Sequence, residues 1–118
     1  MKPYKEDTTM KKEQIQMISF NVIANAGDAY DQYVKAIKAA KQRNFNLAEE
    51  LMKKGEQSLV QAHKAQTDLL SAEVNGEELS FSILLIHAQD HFMHAMTYQQ
   101  TAKDFIDLYK IISENNNY

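Results

Sequence analysis

From about Lys11 to Gln42 the apolar positions Ile15, Ile18, Val22, Ala26, Ala29, Tyr33, Ile37 and Ala40 recur at steps of three or four. That spacing lines one face of an α-helix. Arg43-Asn-Phe-Asn46 interrupts the pattern, and either Asn44 or Asn46 can cap the next helix, the latter with Glu49 in capping-box position. A second stripe, Leu51, Gly55, Ser58, Ala62 and Leu69, predicts a helix over about residues 46–74 that Asn75-Gly76 closes. A third helix is predicted from about Glu77 to Ser113, with Glu77 and Glu78 against the positive end of its dipole. Its stripe of Phe81, Leu84, Ala88, Phe92, Ala95, Ala102 and Ile106 would pack on the other two helices. One proline, Pro3, and three glycines leave almost nothing to break a helix after residue 10. The pattern therefore predicts an all-α fold, an antiparallel three-helix bundle, with one domain over residues 11–113 and helices at about 11–42, 46–74 and 77–113. Residues 1–10 are expected as a flexible N-terminal extension and 114–118 as a flexible tail.

Helices of about 30 residues are roughly 45 Å long, and so thin a bundle has a poor ratio of core to surface, which favours burial against further copies. The third helix has the face for it. About 110° from its core stripe runs a mixed arc of Ile83, His87, Asp90, His91, His94, Tyr98, Thr101, Phe105 and Leu108. A solvated face would not carry those side chains. The arc predicts a second, buried or half-buried surface, most simply an oligomer interface, with Gln89, Gln100, Asp104 and Asp107 pointing to water.

Composition narrows the function. The chain has 118 residues, 44% of them hydrophobic, and no apolar run near the roughly 20 residues that span a bilayer. The first ten residues, MKPYKEDTTM, are charged and lack a signal peptide's apolar stretch, so the expected compartment is the cytoplasm, without membrane insertion. Thirteen Lys+Arg against 16 Asp+Glu give a net charge of -3, no basic footprint for nucleic acid. The absence of cysteine excludes disulfides, thiolate metal sites and cysteine nucleophiles.

The potent side chains gather in His87-Ala-Gln-Asp-His-Phe-Met-His94, where His87, Asp90, His91 and His94 lie at i, i+3, i+4 and i+7 on one helical face. An imidazole, with an unperturbed pKa near 6.5, acts close to neutrality as nucleophile, base or metal ligand. Three readings compete. The histidines can be polar packing residues. They can hold a metal, since His87-x-x-Asp90-His91 is close to the inverted zincin pattern, although Asp90 stands one methylene short of the glutamate base and no E-x-x-H pair occurs on the first two helices. Or one imidazole can be a covalent nucleophile, which needs mainly a group to hold its tautomer and a site to receive charge.

Asn25-Ala-Gly-Asp-Ala29, Ala62-His-Lys-Ala-Gln-Thr67, Asn75-Gly-Glu-Glu-Leu79 and above all His87-Ala-Gln-Asp-His91 followed by Phe-Met resemble the lactose/cellobiose-specific enzyme IIA family of the bacterial phosphoenolpyruvate-dependent sugar phosphotransferase system. The resemblance spans about residues 12–110. It implies a three-helix bundle that assembles as a homotrimer, a nine-helix bundle. It implies a phosphocarrier that accepts a phosphoryl group from phospho-HPr on a histidine and passes it to a cysteine of a IIB component, serving uptake of a β-linked disaccharide through a IIC permease. The phosphorylated histidine maps to His87. The metal-binding aspartate, one from each subunit to a structural Mg2+ on the trimer axis, maps to Asp90. His91, one turn on, can stabilise the phosphoryl oxygens, and Gln89 can help. His94 stands where a small hydroxyl residue is expected in the family, leaving it as a spare phosphate ligand or, more readily, a packing or interface residue.

Outside the arc, His63 reads as structural, Gly27 and Gly55 as points of close helix contact, Lys35, Lys38 and Lys41 as a solvated basic ridge, and the methionines as core or docking-surface filler. The competing function from another class is a non-enzymatic oligomeric helical module whose histidine-rich interface responds to pH.

Overall fold

The computed structural model describes residues 12–76 and 82–115. Three α-helices account for them: α1 (Lys12–Lys41), α2 (Phe45–Val74) and α3 (Ile83–Glu114). The expected flexible extension, residues 77–81 with Phe81, and the end of the tail lie outside the described residues.

Antiparallel packing follows from paired contacts along the chain. Tyr33 on α1 lies against Gly55 on α2, and five residues back along α1 Asp28 accepts a hydrogen bond from Ser58 Oγ, three residues further along α2. Between α2 and α3, Gln66 bonds Gln89 at 2.6 Å and the His63 ring stacks on Phe92 with centroids 5.8 Å apart. α1 packs along both partners, whereas α2 and α3 meet over a shorter seam.

The α1 stripe read from the sequence is the core. Ile15, Val22, Ala26, Ala29, Tyr33 and Ala40 are buried, while Ile18 and Ile37 pack against its edge. Alanines at Ala26, Ala29, Ala62, Ala88, Ala95 and Ala102 let the helix axes approach closely, and Tyr33 and Phe92 fill the space left between them. A second cluster of Ala36, Ala39, Ala40, Ala48 and Ile106 closes the end of the bundle at the α1–α2 turn, with Phe45 against it.

One open choice is settled and two local expectations change. Asn44, not Asn46, caps α2, its side chain accepting from Leu47 N at 3.2 Å, so Glu49 has no capping-box role. The turn before it is a Schellman closure: Asn44 N donates to Ala39 O and Arg43 N to Ala40 O, both at 2.9 Å, with Arg43 at φ 65° where glycine is usual. Gly76 at φ 86° takes that role at the end of α2, as its sequence indicates. α3 opens at Ile83 rather than Glu77, because Ser82 is extended and its hydroxyl accepts from Leu85 N at 3.3 Å. Of the two glycines expected at close contacts, only Gly55 makes one; Gly27 faces open space.

Candidate functional site

α3 sets the site because its two faces are differently employed. Ala88, Phe92, Ala95, Ala102 and Ile106 are buried, as the stripe requires. Opposite them the outward face holds Ile83 at 78% exposure, Ile86, Met93, Phe105, Leu108 and Ile111, all exposed apolar side chains. Within a single chain, much of the arc expected to be covered is therefore open, while Tyr98 and Thr101 are half-buried and Tyr98 packs against the core. His87, Asp90 and His94 are exposed, and His91 is half-buried at the edge.

His87 and His91, one turn apart, come together. Their Nε2 atoms stand 3.0 Å apart and their rings meet edge to face at 84°. That distance is a hydrogen bond when one ring carries Nε2–H and the other presents its lone pair. His91, held at the edge of the core, is the better anchored of the two and can donate. With His91 as donor, the His87 Nε2 lone pair would accept and its proton would sit on Nδ1, the tautomer a nucleophile needs. Between Ile83 and Ala102 α3 carries no lysine or arginine, so no fixed cation competes for charge placed on this face.

The other members of the arc divide. His94 does not join the pair: its ring lies 4.8 Å from Tyr30 and 6.2 Å from Tyr98, and the two tyrosines meet at 4.7 Å. That is packing in the α1–α3 groove, the role favoured for it from the sequence. Tyr30 escaped the sequence reading, although it follows Ala29 directly and so borders the α1 stripe. Asp90 points outward among Ile86 and Met93, with no hydrogen bond or ion pair. Gln89, two residues from His87, lies about 200° round the helix. It is half-buried against α2, bonded to Gln66, and neither reaches His87 of its own chain nor points freely to water. Gln66 went unnoticed too; its place one turn beyond Ala62 on the α2 stripe was the available signal. Gln100 and Asp104 are exposed as expected and bond each other at 3.1 Å.

His63 stacks on Phe92, the structural role anticipated for it. Lys35 pairs with Asp31 at 2.9 Å in solvent, one member of the basic ridge accounted for. No group of three or more His, Cys, Asp or Glu able to hold a metal occurs among the described residues. A carboxylate-type cation site at Asp90 would need further oxygens from other copies. No helix of the described residues is long and apolar enough to cross a membrane.

Comparison with known proteins agrees with this architecture. The family model for the lactose/cellobiose-specific IIA subunit of the phosphotransferase system matches residues 17–110. The lactose-specific EIIA component of Staphylococcus epidermidis is 40% identical over 101 residues, covering 86% of this chain and 97% of that protein. The corresponding protein of Streptococcus mutans is 38% identical over 101 residues, covering 86% of this chain and 97% of its own length. Among solved structures, the cellobiose-specific enzyme IIA of Bacillus anthracis superposes with a TM-score of 0.84 at 40% identity, over 90% of this chain and 95% of that one. The chitobiose IIA of Escherichia coli, solved in complex with HPr, superposes with a TM-score of 0.71 at 28% identity, over 84% and 96% of the two chains. With the helical order, the α3 histidine face and these matches in agreement, the chain belongs to the lactose/cellobiose-specific IIA family of the sugar phosphotransferase system.

Proposed function

We propose that this chain is a phosphocarrier whose His87 Nε2 accepts a phosphoryl group from phospho-HPr and passes it to a cysteine of a IIB component. The observation that carries the reading is the 3.0 Å contact between His87 and His91 on an exposed face without basic side chains. In the transfer, the His87 Nε2 lone pair forms a bond to phosphorus as the bond from phosphorus to the HPr histidine breaks. In the next step the His87–phosphorus bond breaks in favour of the IIB thiolate sulfur. Phosphoryl transfer depends on positioning and charge stabilisation more than on covalent help, and here two features supply charge stabilisation. The His91 Nε2–H, freed from His87, can donate to a phosphoryl oxygen. The start of α3 at Ile83 also puts His87 near the positive end of the helix dipole, toward which its side chain leans. The added charge of about -1.5 to -2 meets no arginine or lysine that would trap it. The partner HPr is supported by the complex solved for the chitobiose relative. A β-linked disaccharide taken up through a IIC permease is the cargo that family membership favours.

The exposed face of α3 supports assembly as a homotrimer with α3 innermost. Asp90, an unpaired carboxylate among apolar side chains, is the right donor type for Mg2+, and one carboxylate from each of three copies would hold it at the axis. The ion would serve assembly by neutralising three converging charges, apart from the transfer itself.

Incubation with phosphoenolpyruvate, enzyme I and HPr, followed by intact-mass and peptide analysis, tests the reading. His87 is expected to be the sole labelled residue and His87→Ala to abolish labelling. Phosphate on His91 or His94 with His87 unmodified would refute the assignment. No transfer under conditions that label another IIA protein would favour the pH-responsive interaction module.

A further inference from the structure

The geometry that suits His87 to phosphoryl chemistry also suits the pair to a metal. Two Nε2 atoms 3.0 Å apart hold a single proton between them. With both rings protonated on Nδ1 instead, both Nε2 atoms carry lone pairs, and rotation about the side-chain torsions can turn both toward one ion. Imidazole nitrogen bonds such metals at about 2.0–2.1 Å, so donors at this spacing subtend about 94° at the ion. Tetrahedral coordination would need them about 3.3 Å apart, and the cis positions of square-planar or octahedral coordination about 2.9 Å.

We propose that His87 and His91 chelate a divalent ion of the copper or nickel type through both Nε2 atoms, with water completing the coordination. The i, i+4 spacing on a rigid helix presents both donors without rearrangement of the backbone. His87 is exposed, so the ion has a path in. The absence of lysine and arginine from Ile83 to Ala102 removes the usual electrostatic opposition, and the Asp90 carboxylate on the same face adds attraction. Cu2+ should bind more tightly than Ni2+, which follows the general order for nitrogen sites, and Zn2+ is disfavoured by its preference for the wider tetrahedral angle. No third His, Cys, Asp or Glu completes the site among the described residues, so each imidazole carries half of the protein's ligation.

One consequence rests on the phosphocarrier reading: the ion occupies the lone pair to which phosphorus would bond. Metal and phosphoryl group then exclude one another, each weakening the other's hold by the same factor. Copper bound here would block phosphorylation, and the phosphorylated chain would bind no copper.

The test uses untagged full-length protein titrated with Cu2+, Ni2+ and Zn2+ by calorimetry, with electron paramagnetic resonance of the copper form. One ion per chain with two nitrogen ligands is expected. His87→Gln and His91→Gln should each weaken binding by roughly a hundredfold, because a chelate becomes a single ligand. His63→Gln and His94→Gln should leave it unchanged, and circular dichroism checks that all four variants are folded. Equal loss in His94→Gln or His63→Gln, or Zn2+ binding more tightly than Cu2+, would overturn the proposal. The outcome separates from that of the transfer assay. Metal binding without phosphorylation of His87 would refute the phosphocarrier reading alone, and phosphorylation without metal binding would refute the chelate alone.

Discussion

At the residue scale, the contact between Tyr33 and Gly55 shows how one missing methyl shapes the bundle. A Cβ on Gly55 would lie 2.8 Å from Tyr33 Cδ1 and 2.9 Å from Cζ, inside van der Waals contact with a ring that is buried on every side. Gly55→Ala gains about 1 kcal/mol of helix propensity but overpacks a fixed ring at a cost of about 1–3 kcal/mol. Net destabilisation is expected in urea unfolding. Gly27→Ala, facing open space, should instead stabilise by up to about 1 kcal/mol, so the two substitutions are expected to differ in sign. The same tyrosine carries a hydroxyl that is buried without a hydrogen-bond partner. Burial, and secondarily the charge of Glu56, push its pKa from 10.0 up to about 12. The folded value exceeds the unfolded one, so the stabilisation from the neutral phenol is complete below pH 10 and is lost as pH rises through 12. Tyr33→Phe should leave neutral stability equal or about 1 kcal/mol higher, since an unsatisfied group is removed. It should also flatten the wild-type decline between pH 10 and 12, which urea titrations at each pH would measure.

At the scale of elements, the caps decide where chemistry sits. Ser82, itself extended, caps α3 just over one turn before His87, which places the imidazole near free N–H groups and the positive dipole end. Ser82→Ala should cost about 1 kcal/mol of stability through loss of the cap. It should also slow phosphoryl acceptance by His87 as the first turn frays, with His91 left in place. Parallel denaturation and single-turnover labelling would check this; unchanged acceptance in a destabilised variant would show that the helix start does not serve the site.

At the scale of the whole molecule, the outer face of α3 is too apolar for solvent and has one carboxylate, Asp90, in its N-terminal half. In the proposed trimer, three such faces about an axis would bring three like charges into a poorly solvated place, where a cation or protonation would relieve them. Asp90→Leu removes ion and repulsion together, so a metal-free trimer at least as stable as the wild type is expected. Chelation of the unmodified protein should loosen it. Sedimentation with metal analysis decides, and a monomeric Asp90→Leu protein would mean that the axis lies elsewhere.

The sequence by itself determined the three helices and their buried stripes, because spacing of three and four fixes which face of a helix is apolar whatever it packs against. It also determined the co-facial placement of His87, Asp90, His91 and His94, which needs only helical geometry. Local competition decided the helix ends. Asn44 and Asn46 are equivalent by composition, and only the Schellman turn at Arg43 selects the first. Ser82, itself extended, caps α3 through its hydroxyl, so the helix that carries His87 begins at Ile83. Tertiary packing decided which side chains meet across helices. Spacing along α3 places Gln89 beside His87 in sequence, but the position of α2 draws it to Gln66. Tertiary packing also sets His94 against Tyr30 of α1, whereas His91 meets His87 one turn back on its own helix.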